Sequence, residues 1–167
     1  DEVIVVNYTQ CNNVKLCSKK QEYIYKSWKN HSYTKWNCLN LDKFEKVCFL
    51  DADLIITQNI DHLFDLNTPA GCFKNIWLEN NLSINTYSGI EYGDRIPNNI
   101  ILKSLNNGFV MSGHCVVLKP GRSKYIGFIK YVKKFIKRKS RCISMLDEQS
   151  LVSYLMQNEH WHQLSYQ

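Results

Sequence analysis

Asp51 and Asp53 stand one residue apart at the end of the apolar run Val47-Cys48-Phe49-Leu50, and Leu54-Ile55-Ile56 follows them. An apolar run this rich in β-branched and aromatic residues reads as a buried strand. A carboxylate buried without a partner is costly or shifts its pKa, so two at a strand end need an explanation. A divalent cation supplies one. Hard oxygen ligands suit Mg²⁺ or Mn²⁺, commonly shared with a phosphate-bearing substrate. A strand-end turn with two solvated Asp residues is the alternative, and the pair alone does not decide.

The elements that must position the pair begin upstream. Val3-Ile4-Val5-Val6 is a continuous apolar run, the pattern of a strand covered on both faces. Residues 10–22 are polar and read as a loop. From about Gln21 to Leu41, Ile24, Trp28, Trp36 and Leu39 fit helical spacing in two pieces, broken near Asn30-His31-Ser32. A helix between two buried strands is a βαβ unit, which predicts a parallel sheet with a right-handed crossover. The expected fold class is therefore α/β, a mainly parallel sheet flanked by helices. Such sheets bind ligands at the carboxyl ends of their strands, where Asp51 and Asp53 lie, and this favours the metal reading.

Downstream, Asn59 to Leu66 reads as a short helical turn with Asn59 as N-cap, ended by Thr68-Pro69-Ala70-Gly71. Residues 72–108 are heavily punctuated by Gly, Pro and Asn pairs; they read as a long loop with a short helix around Ile100–Leu105. A second β run closes the stretch from Phe109 to Pro120. Within it, Ser112-Gly113 either lets the backbone approach a ligand or marks a bulge. Residues 123–139 form an amphipathic helix, with Tyr125, Phe128, Ile129, Val132, Phe135 and Ile136 on one stripe and Lys and Arg crowding the other. A basic face of this kind is ordinarily solvated, although it can bind nucleic acid or a membrane surface. A last helix opens at Met145, with Leu151 and Leu155 facing inward. No repeat or linker divides the chain.

The 167 residues are 44% hydrophobic and 22% charged, the composition of one folded domain. A net charge of +6 and a pI near 8.9 favour anionic partners. The seven cysteines lack the paired spacings of a zinc site; their odd number indicates reduced thiols and a cytoplasmic-type compartment. No apolar run reaches the length of a membrane span, and no signal peptide opens the chain. A strand immediately after Asp1 implies a start inside a longer fold, so residues 1–167 read as a single partial domain.

Residues 33–66 closely resemble the core of glycogenin-like family 8 glycosyltransferases. The likeness rests on Thr34-Lys35, Phe49-Leu50-Asp51-Ala52-Asp53 and Asn59-Ile60-Asp61-His62-Leu63-Phe64-Asp65, in this order. It extends more loosely through residues 1–6, Val110–Pro120, Glu148-Gln149 and Trp161–Gln167. The resemblance implies a Rossmann-like, GT-A type nucleotide-diphospho-sugar transferase fold. It also implies a UDP-sugar donor, Mn²⁺ (or Mg²⁺), a glycan or protein hydroxyl as acceptor, and retention of anomeric configuration. By the same resemblance Asp51, Ala52 and Asp53 form the motif that holds metal and nucleotide. Lys35 lies near the donor phosphates, Ser112 and Gly113 line the sugar pocket, and Glu148 and Gln149 stand beside the transferred sugar. The family's first strand and helix would precede Asp1, and its third metal ligand, a His, would follow Gln167. His160 and His162 come too early for that role, and His114, where the family has Gly, reads as structural.

Three functions remain at this level. The first is a metal-dependent hexosyltransferase domain. The second is a noncatalytic remnant of the fold that binds a carbohydrate or protein. The third, a nucleic-acid binder using residues 130–141, lacks aromatic stacking positions and ranks last. The sequence names neither sugar, acceptor nor oligomeric state.

Overall fold

A computed structural model describes residues 3–11, 19–73, 76–77, 83–84, 89–107, 111–138 and 146–164. Its spine is an eight-residue strand, Met111–Leu118, the fifth in chain order (β5). Strand β1 (Val47–Leu50) pairs with it antiparallel, from Val47 opposite Leu118 to Leu50 opposite Cys115. Strand β2 (Ala70–Phe73) pairs antiparallel on its other side, and β6 (His162–Gln163) adds parallel to β2. The sheet order is β1-β5-β2-β6. Two short strands, β3 (Ile76–Trp77) and β4 (Ser83–Ile84), pair separately.

The α/β class is as expected, but the sheet is mixed rather than mainly parallel. The cause is β5, which runs back between β1 and β2. Those two strands are parallel to each other yet never touch, so two of the three pairings are antiparallel. The expected βαβ unit is also absent from the described residues. Val3–Val6 forms no strand, and its Val3 and Val5 side chains are about nine-tenths exposed. An apolar run becomes a strand only where a neighbour supplies the ladder, and no described strand lies beside this one.

The helical layer covers one side of the sheet. The expected two-piece helix before β1 appears as α1 (Lys19–Tyr25) and a 3₁₀ segment, Ser32–Asn40, separated near His31 as the sequence indicated. The start of α1 falls inside residues 10–22, which read as loop. The second piece is 3₁₀ because its buried residues, Tyr33, Trp36 and Leu39, recur every third position, the period at which 3₁₀ side chains eclipse. All three are fully buried, and Trp36 packs on Phe49 of β1 with ring centroids 5.6 Å apart.

Helix α2 (Asn98–Asn107) contains the expected Ile100–Leu105 turn. Helix α3 (Arg122–Arg138) buries Phe128 and Val132 against the 3₁₀ segment and against α4 (Leu146–Leu155), where Leu151, Val152 and Leu155 face the core. Gly127 makes the α3–α4 contact possible: a Cβ there would meet the Tyr154 hydroxyl at 2.2 Å, and that hydroxyl donates to the Lys124 carbonyl. Among the described residues no helix is long and apolar enough to cross a membrane. Cys11, Cys38, Cys48, Cys72 and Cys115 are free thiols; Cys17 and Cys142 lie outside the described residues.

Candidate active site

The β1 backbone ends in a tight turn, with Leu54 N–H donating to the Asp51 carbonyl at 3.3 Å. Asp51 remains half-buried there, whereas Ala52 and Asp53 are exposed. Leu54-Ile55-Ile56 does not continue the strand. Ile55 is 88% exposed, because no ladder partner extends beyond Leu50. The Asp51 amide donates to the His114 carbonyl at 2.9 Å, which locks the carboxylate turn to β5.

That contact falls on an irregularity in β5. On the β2 side, Gly71 lies opposite Val116 and Cys72 opposite Ser112, so Gly113, His114 and Cys115 have no counterparts on β2. The bulge reading of Ser112-Gly113 is therefore correct, and the groups that approach the Gly113 backbone are side chains of the chain itself. A Cβ on Gly113 would sit 2.3 Å from Glu148 Oε1 and 2.7 Å from Lys35 Nζ. Real Cβ atoms do not make such contacts, so only Gly lets these two side chains lie on the strand. Ser112 is buried, with its hydroxyl 2.6 Å from His114 Nδ1. Alternation along a strand sends residues 112 and 114 to one face and 113 to the other.

Lys35 and Glu148 come from separate elements. The 3₁₀ segment anchors itself through Tyr33 and Trp36, which leaves Lys35 at the edge of the core, over the Trp36 ring at 4.9 Å. Glu148 stands in the first turn of α4, where the helix dipole favours acids, and Leu151 and Leu155 fix that helix from behind. Lys35 Nζ lies 2.5 Å from Glu148 Oε1 and 3.1 Å from Asp147 Oδ2. Both carboxylates are about 4% exposed. Gln149 is fully buried next to them.

The electrostatics follow from burial and crowding. Burial pushes the Glu148 carboxyl up to about 8, the neighbouring Asp147 adds to the shift, and Lys35 opposes it. Burial works against the Lys35 charge, but Asp147 and Glu148 outweigh it and hold that pKa above the usual lysine value. The Asp51 carboxyl is also raised, first by burial and further by Asp53 and Asp147, against the pull of Lys35 and His114. Asp51, Asp53, His114, Lys35 and Asp147 thus share one local field.

The expected residues are therefore brought together around the carboxyl end of β1, apart from Ser112, whose side chain belongs to the opposite face from Gly113. Asp147 was not among them. Its signal was two consecutive acids opening a helix, but the motif asks for one acid before Gln, and that concealed the second. His160 is exposed, and His162, on the edge strand β6, has Nδ1 3.3 Å from the Pro69 carbonyl. Among the described residues no group of three His, Cys, Asp or Glu is placed to hold a metal. Asp51 and Asp53 do fit two ligands of a hard cation. They are oxygen donors on one tight turn, and the nearby Asp53 disfavours the Asp51 charge, which a cation between them would favour.

The sequence model of glycosyl transferase family 8 matches residues 1–151, and so covers every one of these site residues. The chain belongs to that family. Over 85 residues it is 36% identical to an uncharacterised protein of Acanthamoeba polyphaga mimivirus, a match covering 47% of this chain and 26% of the viral protein. Over 72 residues it is 33% identical to galactinol synthase 1 of Ajuga reptans, covering 41% of this chain and 21% of the synthase. It is 32% identical over 54 residues to UDP-glucuronate:xylan alpha-glucuronosyltransferase 2 of Arabidopsis thaliana, covering 32% of this chain and 9% of that enzyme. The matches span about a quarter or less of these relatives' lengths. No solved structure matches significantly.

Proposed function

We propose that this family 8 chain is the donor-binding core of a GT-A type glycosyltransferase. It would transfer a hexose from a UDP-sugar to a hydroxyl acceptor, with retention of configuration. The observation that carries the reading is the Lys35–Glu148 pair, pressed onto Gly113 beside the Asp51 turn. A lysine and an acid from distant parts of the chain meet where the sheet delivers two further carboxylates. The α-glucuronosyltransferase among the relatives, whose name specifies UDP-glucuronate, supports a UDP-sugar donor.

The chemistry suits these groups. Cleaving the bond from the anomeric carbon to phosphate leaves a diphosphate whose charge must be stabilised as it develops. A Mn²⁺ or Mg²⁺ held by Asp51 and Asp53 would supply a Lewis acid there. Lys35 adds a point charge next to the same turn. In this reading Glu148 and Gln149 face the sugar end, with Gly113 leaving room for Glu148. Retention needs either a carboxylate nucleophile or attack from the leaving-group face. Glu148 takes the first role only when ionised, a form that burial and the neighbouring Asp147 disfavour in the free protein and Lys35 favours.

The test is calorimetric titration of UDP into the complete protein with and without Mn²⁺. Binding should require the metal and disappear in Asp51→Ala and Asp53→Ala. Undiminished binding without metal would overturn the reading.

A further inference from the structure

Lys35 is one cation between two buried carboxylates, and the transfer outlined above uses only one of them. Asp147 Oδ2 lies 3.1 Å from Lys35 Nζ without hydrogen-bond alignment, and Glu148 Oε2 is buried with no hydrogen-bond partner. Successive helical residues normally diverge. Here the first turn of α4 brings both acids to one ammonium, and the Asp147 carbonyl is itself tied by the Ser150 hydroxyl at 2.8 Å. If Glu148 held Lys35 alone, it could turn towards a donor sugar only by breaking its sole ion pair in a buried setting, a costly step.

Resting on the transferase reading, we propose that Asp147 is a positioning residue. It keeps Lys35 in place as the second carboxylate, so that Glu148 can release the lysine and present its carboxylate to the sugar. The groups facing Glu148 fit this exchange. Lys35 and Tyr33 approach from the 3₁₀ segment, Asp147 from its own helix, and the Gly113 backbone closes the strand side. Asp147 also raises the affinity of Glu148 for a proton, which couples the two acids electrostatically. A single acid at this turn could not both anchor the lysine and act on the donor.

The experiment compares the complete wild-type protein with Asp147→Asn and Asp147→Glu, using UDP-sugar turnover with Mn²⁺ and ¹³C NMR titration of the Glu148 carboxyl in the ligand-free protein. Asp147→Asn should lower kcat about tenfold or more, leave the donor KM within about twofold, and move the Glu148 midpoint to lower pH. Asp147→Glu should recover most of kcat, which a packing defect would not allow. Unchanged kcat in Asp147→Asn, or a loss confined to KM, would overturn the proposal. A wild-type protein that binds no UDP and turns over no donor fails the transferase reading instead. In that case an unmoved Glu148 midpoint overturns the Asp147 coupling too, and a lowered one upholds it.

Discussion

Lys35 and Glu148, 113 positions apart in the chain, meet at 2.5 Å with Asp147 completing the contact at 3.1 Å. Side-chain exposure is 18% for the lysine and about 5% for the acids, so this is a desolvated ion triad. Breaking such a group by removing one partner costs more than the pair is worth, because the remaining charges stay buried.

Lys35→Met should therefore destabilise the fold by about 3 kcal/mol at pH 8, measured by urea denaturation. The loss should shrink at pH 5, where Glu148 can take up a proton instead of remaining an uncompensated charge. A loss independent of pH would show that the lysine's methylenes, rather than its charge, matter there.

Glu148→Gln tests the opposite sign. The folded protein holds the Glu148 proton up to about pH 8, against an ordinary value of 4.5. That contribution to stability is complete below the unfolded value and is lost as pH rises through about 8. Between pH 5 and 8.5 the wild type should therefore lose stability relative to Glu148→Gln, by on the order of 4 kcal/mol. Parallel stability curves for the two proteins would mean that Glu148 titrates normally.

Much of this arrangement was legible in the sequence. Apolar runs ending at charged or turn residues marked β1 and most of β5, and the 3.6-residue stripe from Tyr125 to Ile136 marked α3. Helix α3 carries seven Lys and Arg and no Asp or Glu, against a net charge of +6 for the whole chain. Strand β2 was not legible, because Ala70-Gly71-Cys72-Phe73 has no hydrophobic signature and becomes a strand only through its neighbours β5 and β6. Val3–Val6 failed in the reverse direction, having the signature without a described neighbour. At the site, the Asp-Ala-Asp spacing pointed to the carboxylates. The approach of Lys35 to Asp147 depends on how the 3₁₀ segment packs against α4, which no local pattern encodes.

Gly113→Ala should separate site from fold. The new methyl would overlap Glu148 Oε1, Glu148 Cγ and Lys35 Nζ, all of them side-chain rather than backbone atoms. They can swing aside, so the protein should stay folded with a loss of about 1–2 kcal/mol. Sugar transfer, however, should fall at least tenfold as the pair is displaced. Gly121→Ala is the control, since its Cβ would have nothing closer than Lys124 Cβ at 3.8 Å. Equal activity in the two variants would remove Gly113 from the site.

The last prediction concerns the acid side of metal binding. A cation needs Asp51 ionised, so Mn²⁺-dependent UDP binding should be present above the Asp51 pKa and lost as pH falls through it. Burial and the nearby Asp53 raise that pKa above 3.8, so the loss should begin at a higher pH than for an ordinary aspartate. Lys35 and His114 pull in the other direction. Replacing His114 by Ala removes its pull on Asp51, and the midpoint of binding should move to higher pH with little change at pH 8. If His114 were instead a metal ligand, the same substitution would weaken binding at every pH. Titrations of UDP with Mn²⁺ at pH 5, 6.5 and 8 on the two proteins distinguish the two roles.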